Sequence, residues 1–513
     1  MKKFIFLSIL GLLIIAFSGT VYAQPKLTFS TYGYVEVVTV LNRNMPFGAN
    51  GNFATFFPGN GYFPSFFGAV PTSASGAWNR TVSFWEERTR LWLSMAMDKG
   101  LSATVGFEMD SGRMGETLAS SGIGTWNTDQ IAVEVMHAYL TAGLPYFGIP
   151  IPMTVRAGIQ PLAQRPNVFL YTDGPAITGT LNINPVLIGL TWAKAIEGKD
   201  ATADDSDVYA ITANAKFGPI SVGGFAYYYN MNTYPFNPPT ATYGVSNPFR
   251  SDMWWFGINS DGKIGPVNYN FDFVYDYGKV SQRGSSPIFV PGARDVDYRG
   301  WVVQGKVTVP WEKFAFGGLG MYATGADLNK TSRFGLPGEA TAGSDPGFTR
   351  KVGAYVIPPG SEEWAIWGES MVFNNNYITA TATPVTISPI GQYANNMTRG
   401  AIGGTWVGKL FASVSPVPWY KVTLQGMYIG DTTKHGNTLG DAIKHNVTNF
   451  RDDKTIGWEV DLLNDIKIYN NLTWSVGGGY LFAGGALDQN VTAFINQAPK
   501  NPWIVATKLR YDW

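Results

Sequence analysis

The chain has 513 residues, a formal net charge of +0 and no cysteine, with 14% charged and 15% aromatic residues. No cysteine means no disulfide frame, no haem-attachment motif and no thiolate metal site, and the absence of net positive charge argues against nucleic acid as a partner. Charge falls well below the roughly 25% of soluble domains, yet mean hydropathy is close to zero, the balance expected when lipid-facing and water-facing residues alternate.

Lys2 and Lys3 precede the apolar run Phe4 to Phe17, and Val21-Tyr22-Ala23 supplies small residues for a signal peptidase. Residues 1–23 therefore read as a signal peptide cleaved near Ala23, and 24–513 as the mature domain. The apolar run is short of the about 20 residues of a spanning helix. A lipid anchor is not expected, because no cysteine stands at the cleavage point.

The first predicted strand is Leu27 to Val40, followed by a Gly-, Phe- and Pro-rich loop to about Arg80. Strands at 81–98 and 101–111 are joined only by Lys99-Gly100, and those at 130–143 and 151–160 flank the two prolines of Leu144 to Pro150. Asn184-Pro185 separates 175–183 from 186–196, Gly218-Pro219 separates 207–217 from 220–231, and Gly265-Pro266 separates 252–264 from 267–278. Pro310-Trp311-Glu312 divides 296–309 from 313–327, Pro416 to Pro418 divides 399–415 from 419–431, and Asn470-Asn471 turns 454–469 into 472–484. The last strand, 500–513, alternates Val505, Thr507, Leu509, Tyr511 and Trp513 with Ala506, Lys508, Arg510 and Asp512. Period 2 with one greasy and one charged face, closed by an aromatic, suits a barrel in a bilayer.

These segments make eighteen strands, with eight tight turns alternating with nine long loops. Gly, Pro and Asn at the turns have local reasons to be there. The expectation is an all-β fold, a single transmembrane antiparallel barrel with short periplasmic turns, long outer loops and both termini on the periplasmic side. A propeller would show a blade repeat near 40 residues, and none is present; a soluble sandwich gives no reason for short and long connections to alternate. The longest connection, about 328–398, carries Pro358-Pro359 and a segment Glu362 to Phe373 that reads as a short helix or hairpin. Loops this long usually do something; folding into the lumen and covering the outside are both open.

Alternation also sorts the faces. Arg88 and Arg90 share a face with Glu86, opposite Leu91 and Leu93, and Glu108 and Asp110 oppose Phe107 and Met109. Arg156 lies with Gln160, Asp272 and Asp276 with Asn268 and Asn270, Lys306 with Gln304, and Glu459 with Asp461. A Lys or Arg on the lipid face costs about 2–4 kcal/mol near the midplane, so these residues, with Arg510, are assigned to the pore wall. The Lys99-Gly100 turn is expected to set Arg90 opposite Met109, with Glu108 and Asp110 as diagonal partners of an ion-paired ladder. A basic wall of Arg88, Arg90, Arg156 and Arg510 would then face an acidic one of Asp272 and Asp276. Trp254, Trp255, Trp311, Trp419, Tyr420 and Trp503 near strand ends read as interfacial girdles.

Signals for chemistry are poor, and no enzyme activity, cofactor or metal is expected. Paired carboxylates such as Glu459 and Asp461 suit lumen lining better than acid–base work. His435 and His445 share a loop without a ligand pattern, and His137 has no serine motif beside it. Gly317-Gly318-Leu319-Gly320 lacks the lysine of a phosphate loop and reads as small residues in a crowded interior. Asp204, Asp205 and Asp207 read as a solvated loop before a calcium site.

Gly457-Trp458-Glu459-Val460-Asp461, Asn471-Leu472 and Gly479-Tyr480-Leu481-Phe482 resemble the eighteen-stranded alginate-export family of outer-membrane porins. So do Tyr322 to Asp327, Arg88-Thr89-Arg90-Leu91 and His137-Ala138-Tyr139. The resemblance implies an outer-membrane channel for small hydrophilic solutes, with outer-membrane lipids and the barrel-assembly machinery as partners. The family's strongly basic lumen is replaced here by a mixed one, which leaves acidic-polysaccharide export as an alternative. A sheath around a multihaem electron conduit and a lipid hydrolase are the others. Solute, transport direction and oligomeric state are not legible.

Overall fold

The structure is a computed structural model. It describes residues 27–44, 81–97, 100–110, 133–144, 152–197, 204–232, 249–282, 295–327, 351–358, 369–373, 402–438, 442, 444, 451–492, 495–498 and 500–513. The expected signal peptide, His445 and most of 328–398 lie outside these residues.

The first strands in chain order are β1 (Leu27–Arg43), β2 (Thr81–Met97), β3 (Leu101–Asp110), β4 (Glu134–Leu144), β5 (Met153–Gln164), β6 (Leu170–Ile183) and β7 (Val186–Ile196). Next come β8 (Ser206–Phe217), β9 (Ile220–Met231), β10 (Phe249–Ile264), β11 (Val267–Gln282), the short β12 (Val296–Tyr298), β13 (Trp301–Trp311), β14 (Phe314–Ala323) and the two-residue β15 (Lys351–Val352). The last are β16 (Thr405–Val417), β17 (Tyr420–Asp431), β18 (Thr455–Tyr469), β19 (Leu472–Ala483), the small hairpin β20 (Gln489–Thr492) and β21 (Ile495–Gln497), and β22 (Trp503–Asp512).

Leaving out β12 and β15, the 20-stranded sheet is a ring of eighteen, each strand antiparallel to both neighbours. The ring closes where β22 lies between β19 and β1, with Leu509 opposite Val37 on one side and Trp474 on the other. Closure leaves no strand edge, as a bilayer requires. Every predicted strand is present. Two tight turns show why: Gly218 and Gly265 have φ of 59° and 58°, as the first central residue of a type II′ hairpin needs, and the following proline supplies the second. At the third, the strand runs through Pro310 and Trp311, and Glu312 takes the left-handed turn position at φ 52°.

The outward face is apolar and open, with Leu410 75% and Ile258 57% exposed. The inward face carries the charges, and much of it is buried because chain from the long-loop end packs inside the ring. Trp254, Trp311 and Trp419 are exposed, as girdle residues should be. Trp255 is not one of them. Its side chain is 0% exposed and faces inward, where Nε1 donates to the carbonyl of Val356 at 2.8 Å; adjacent tryptophans on a strand must point to opposite faces.

Candidate functional site in the barrel lumen

Along the closing seam, the registers of four adjacent strands align residues of alternating sign in one row. Arg510 lies opposite Glu36, Glu36 opposite Arg88, and Arg88 opposite Asp110. In the next row towards the short turns, Tyr34 lies opposite Arg90 and Arg90 opposite Glu108. This corrects the expected register: Met109 faces Thr89, so Arg90 and Glu108 are direct partners. The two strands keep an unbroken one-to-one pairing down to Met97 and Leu101, which shifts the ladder by one residue from the expectation.

Arg90 donates to Glu108 through Nε at 3.0 Å and Nη2 at 2.9 Å, and Arg88 Nε lies 3.2 Å from the same carboxylate. Glu36 is nearly buried, with Lys508 and Arg510 at 3.6 and 3.5 Å. Arg510 also lies over the Tyr34 ring at 3.8 Å and Arg156 over Tyr139 at 4.8 Å. Below Arg90, Trp92 stacks on Tyr32 at 5.2 Å and donates to His137 Nδ1 at 2.9 Å. His137 Nε2 then donates to Asp173 at 2.8 Å. Gly106 permits this approach, because a Cβ there would fall 2.7 Å from the indole nitrogen. His137 thus serves a hydrogen-bonded wall, with no serine among these partners.

Elsewhere around the lumen, three inward segments pack against the wall. The first is the β5–β6 connection, only residues 165–169. Phe169 stacks on Phe225 at 4.7 Å, and Arg165 reaches Asp272 through Nε and Asp261 through Nη1 at 2.6 Å. Burial pulls the Arg165 pKa down, but hydrogen bonds and charges from the two aspartates outweigh it and hold the group charged. The second segment surrounds β15. Asp276, fully buried, accepts from the backbone N–H of Gly300 at 2.8 Å and of Val356 at 3.0 Å. The expected acidic wall is therefore corrected: Asp272 is paired with Arg165, and Asp276 is sealed under the loop it anchors.

The third segment, residues 369–373, hangs on β18. Glu459 accepts from Ser370 Oγ and from the N–H groups of Met371, Val372 and Phe373 at 2.7–2.9 Å. Asp461 accepts from Gln425 at 2.8 Å and Met371 N at 3.2 Å. Both carboxylates are 0% exposed and hold chain instead of bordering open water. Glu369 bridges Lys306 and Lys409. Burial raises the Glu369 pKa, but Lys409 and Lys306 outweigh it and set it below the ordinary carboxylate value. The described residues of the long connection, 351–358 and 369–373, pack inside the ring.

Sequence reasoning missed Glu36, Lys409, Arg165 and Glu369. The first two were legible, since each alternates onto the inward face of a predicted strand. Arg165 and Glu369 lie off the strands, where alternation has no meaning. Asp205 and Asp207 lie 2.8 and 3.1 Å from Lys194, and no metal-holding cluster occurs among the described residues.

No protein-family model and no curated protein matches the chain. Among solved structures it is similar to Pseudomonas aeruginosa OccK8 (OprE), at 9% identity and a TM-score of 0.47, covering 94% of this chain and 98% of that one. It is also similar to P. aeruginosa OpdL, at 12% identity and a TM-score of 0.46, with the same coverage. A third is the P. aeruginosa outer membrane protein opdK, at 8% identity and a TM-score of 0.45, covering 94% and 99%.

Proposed function

We propose that the chain is an outer-membrane porin, a channel through which small hydrophilic solutes diffuse. The observation that carries this is a closed ring of eighteen strands with an apolar outer face and a lumen wall of charged, hydrogen-bonding side chains. A belt of apolar residues around a closed barrel belongs in lipid, and a polar interior belongs to water. The inward segments narrow the lumen, and Arg88, Arg90, Arg156 and Arg510 lie on its wall together with Glu36 and Glu108. Side chains of both signs there suit small solutes better than a polyanion. The resemblance of the Gly457 to Asp461 stretch to alginate-export porins supports the porin reading without supplying its solute. Inward segments seated on β9–β11 and β18 weigh against a sheath around a haem conduit, which needs that space. Purified protein in planar lipid bilayers should give stepwise ohmic currents. Folded, heat-modifiable barrel that inserts and carries no current would overturn the reading.

A further inference from the structure

A cavity of about 140 Å³ lies between the inward segment 369–373 and the wall formed by β13, β14, β16 and β17. Space of that size holds about five water molecules, at about 30 Å³ of liquid volume per water. Its wall is organised in two rows. In one, Lys306 faces Leu319, Leu319 faces Lys409, and Lys409 faces Met427. In the next row towards the long loops, Gln304 faces Met321 and Met321 faces Val407. The rows are two residues apart along the strands, about 7 Å.

The chemistry changes sharply between the rows. The first presents two ammonium groups, both within 6 Å of the Phe411 ring and joined by the Glu369 carboxylate. Asn270, Gln304 and Ser370 add amides and a hydroxyl at its edge. The second is mainly apolar, with Met321 and Val407 beside Gln304 on the wall and Ile402 and Phe373 from the loops. Lys306 and Lys409 on one side and Glu369 on the other offer a solute partners of both signs. A solute that fits needs a carboxylate for the lysines, an ammonium for Glu369 and an apolar group beside them for the second row.

We infer that this cavity is a binding site for zwitterionic α-amino acids with apolar side chains. The α-carboxylate joins Lys306 and Lys409, the α-ammonium pairs with Glu369, and the side chain lies against Met321 and Val407. Because both charges are met inside a partly dry site, loss of either costs more than it would in water. The inference deepens the channel reading and rests on it only for where the solute goes next.

The test is block of the ion current by L-leucine against 4-methylpentanoate, which lacks the ammonium, isoamylamine, which lacks the carboxylate, and glycine, which lacks the tail. Leucine should interrupt the current at about tenfold lower concentration than each of the three. Met321→Phe fills the apolar row and should bring leucine to within about twofold of glycine. Glu369→Gln lies on a loop, outside the barrel wall, and should shift preference from leucine towards 4-methylpentanoate. Equal block by leucine and 4-methylpentanoate, or a Met321→Phe barrel that still prefers leucine over glycine as the unmodified protein does, overturns the site. If the protein carries no current the channel reading falls. Calorimetric titration of leucine and 4-methylpentanoate into the same detergent-solubilised barrel then decides the site by itself, with absence of heat for leucine overturning it.

Discussion

Arg165 is the residue on which the inward packing of the β5–β6 connection turns. Its guanidinium is shared between Asp261 and Asp272, and Asp272 is only 3% exposed. Breaking a buried pair from one side leaves an uncompensated charge and costs about 3–5 kcal/mol. Arg165→Gln should therefore release residues 165–169 from the lumen, seen as new protease cleavage there and a larger single-channel conductance; unchanged cleavage and conductance would count against the anchor. Arg88 and Arg90 make a different case, because they border the open side. With Glu36, Glu108 and Asp110 as neighbours in register, Arg88→Glu with Arg90→Glu concentrates negative charge on one wall. The reversal potential in a salt gradient should move towards cation preference. A potential unchanged from wild type would show that these arginines do not face the permeation path.

At the scale of elements, the strands and the inward segments obey different rules. Strand positions were legible because their causes are local: alternation sets the faces and Gly-Pro or Asn-Asn sets the turns. Leu410, at 75% exposure on the outer face of β16, is a direct consequence. Leu410→Arg should cost about 2–4 kcal/mol of barrel stability in lipid vesicles, read by urea unfolding. The inward segments were not legible, because Met371 and Glu459 meet across 88 residues and nothing in either stretch announces the other. Their seat depends on pH in a stated direction. Glu369 has its folded pKa below the ordinary value of 4.5, so its contribution is fully present above about pH 4.5 and lost as pH falls through the lower folded value. Lys306, Lys409, Glu459 and Asp461 surround the same seat. Acidification below that point should free the 369–373 segment and raise conductance, and Glu369→Gln should remove part of that step. A step of equal size in the variant would show that Glu369 does not carry the response.

The whole molecule depends on closure, which brings residues from opposite ends of the chain together. β1 and β22 pair from Tyr34 opposite Asp512 to Arg43 opposite Trp503. The sequence carried this seam in two signs: the alternation of the last strand, and the even number of strands that returns both ends to the short-turn side. What alternation alone could not give is the charge row across the seam, since Arg510, Glu36 and Arg88 are aligned only once both registers are fixed. Trp513 is the last residue to join. Its N–H donates to Gly33 O at 3.1 Å, its carbonyl accepts from Gly33 N at 3.2 Å, and its ring covers Gly33 on the outer face. Each of those hydrogen bonds contributes about 0.5–1.5 kcal/mol, and both lie at the mouth of the barrel, away from the segments that narrow the path. Deleting Trp513 should therefore lower the amount of heat-modifiable barrel recovered from outer membranes while leaving the single-channel conductance of the assembled fraction unchanged. Normal assembly with altered conductance would mean that this end of the seam acts on the pore instead of on closure.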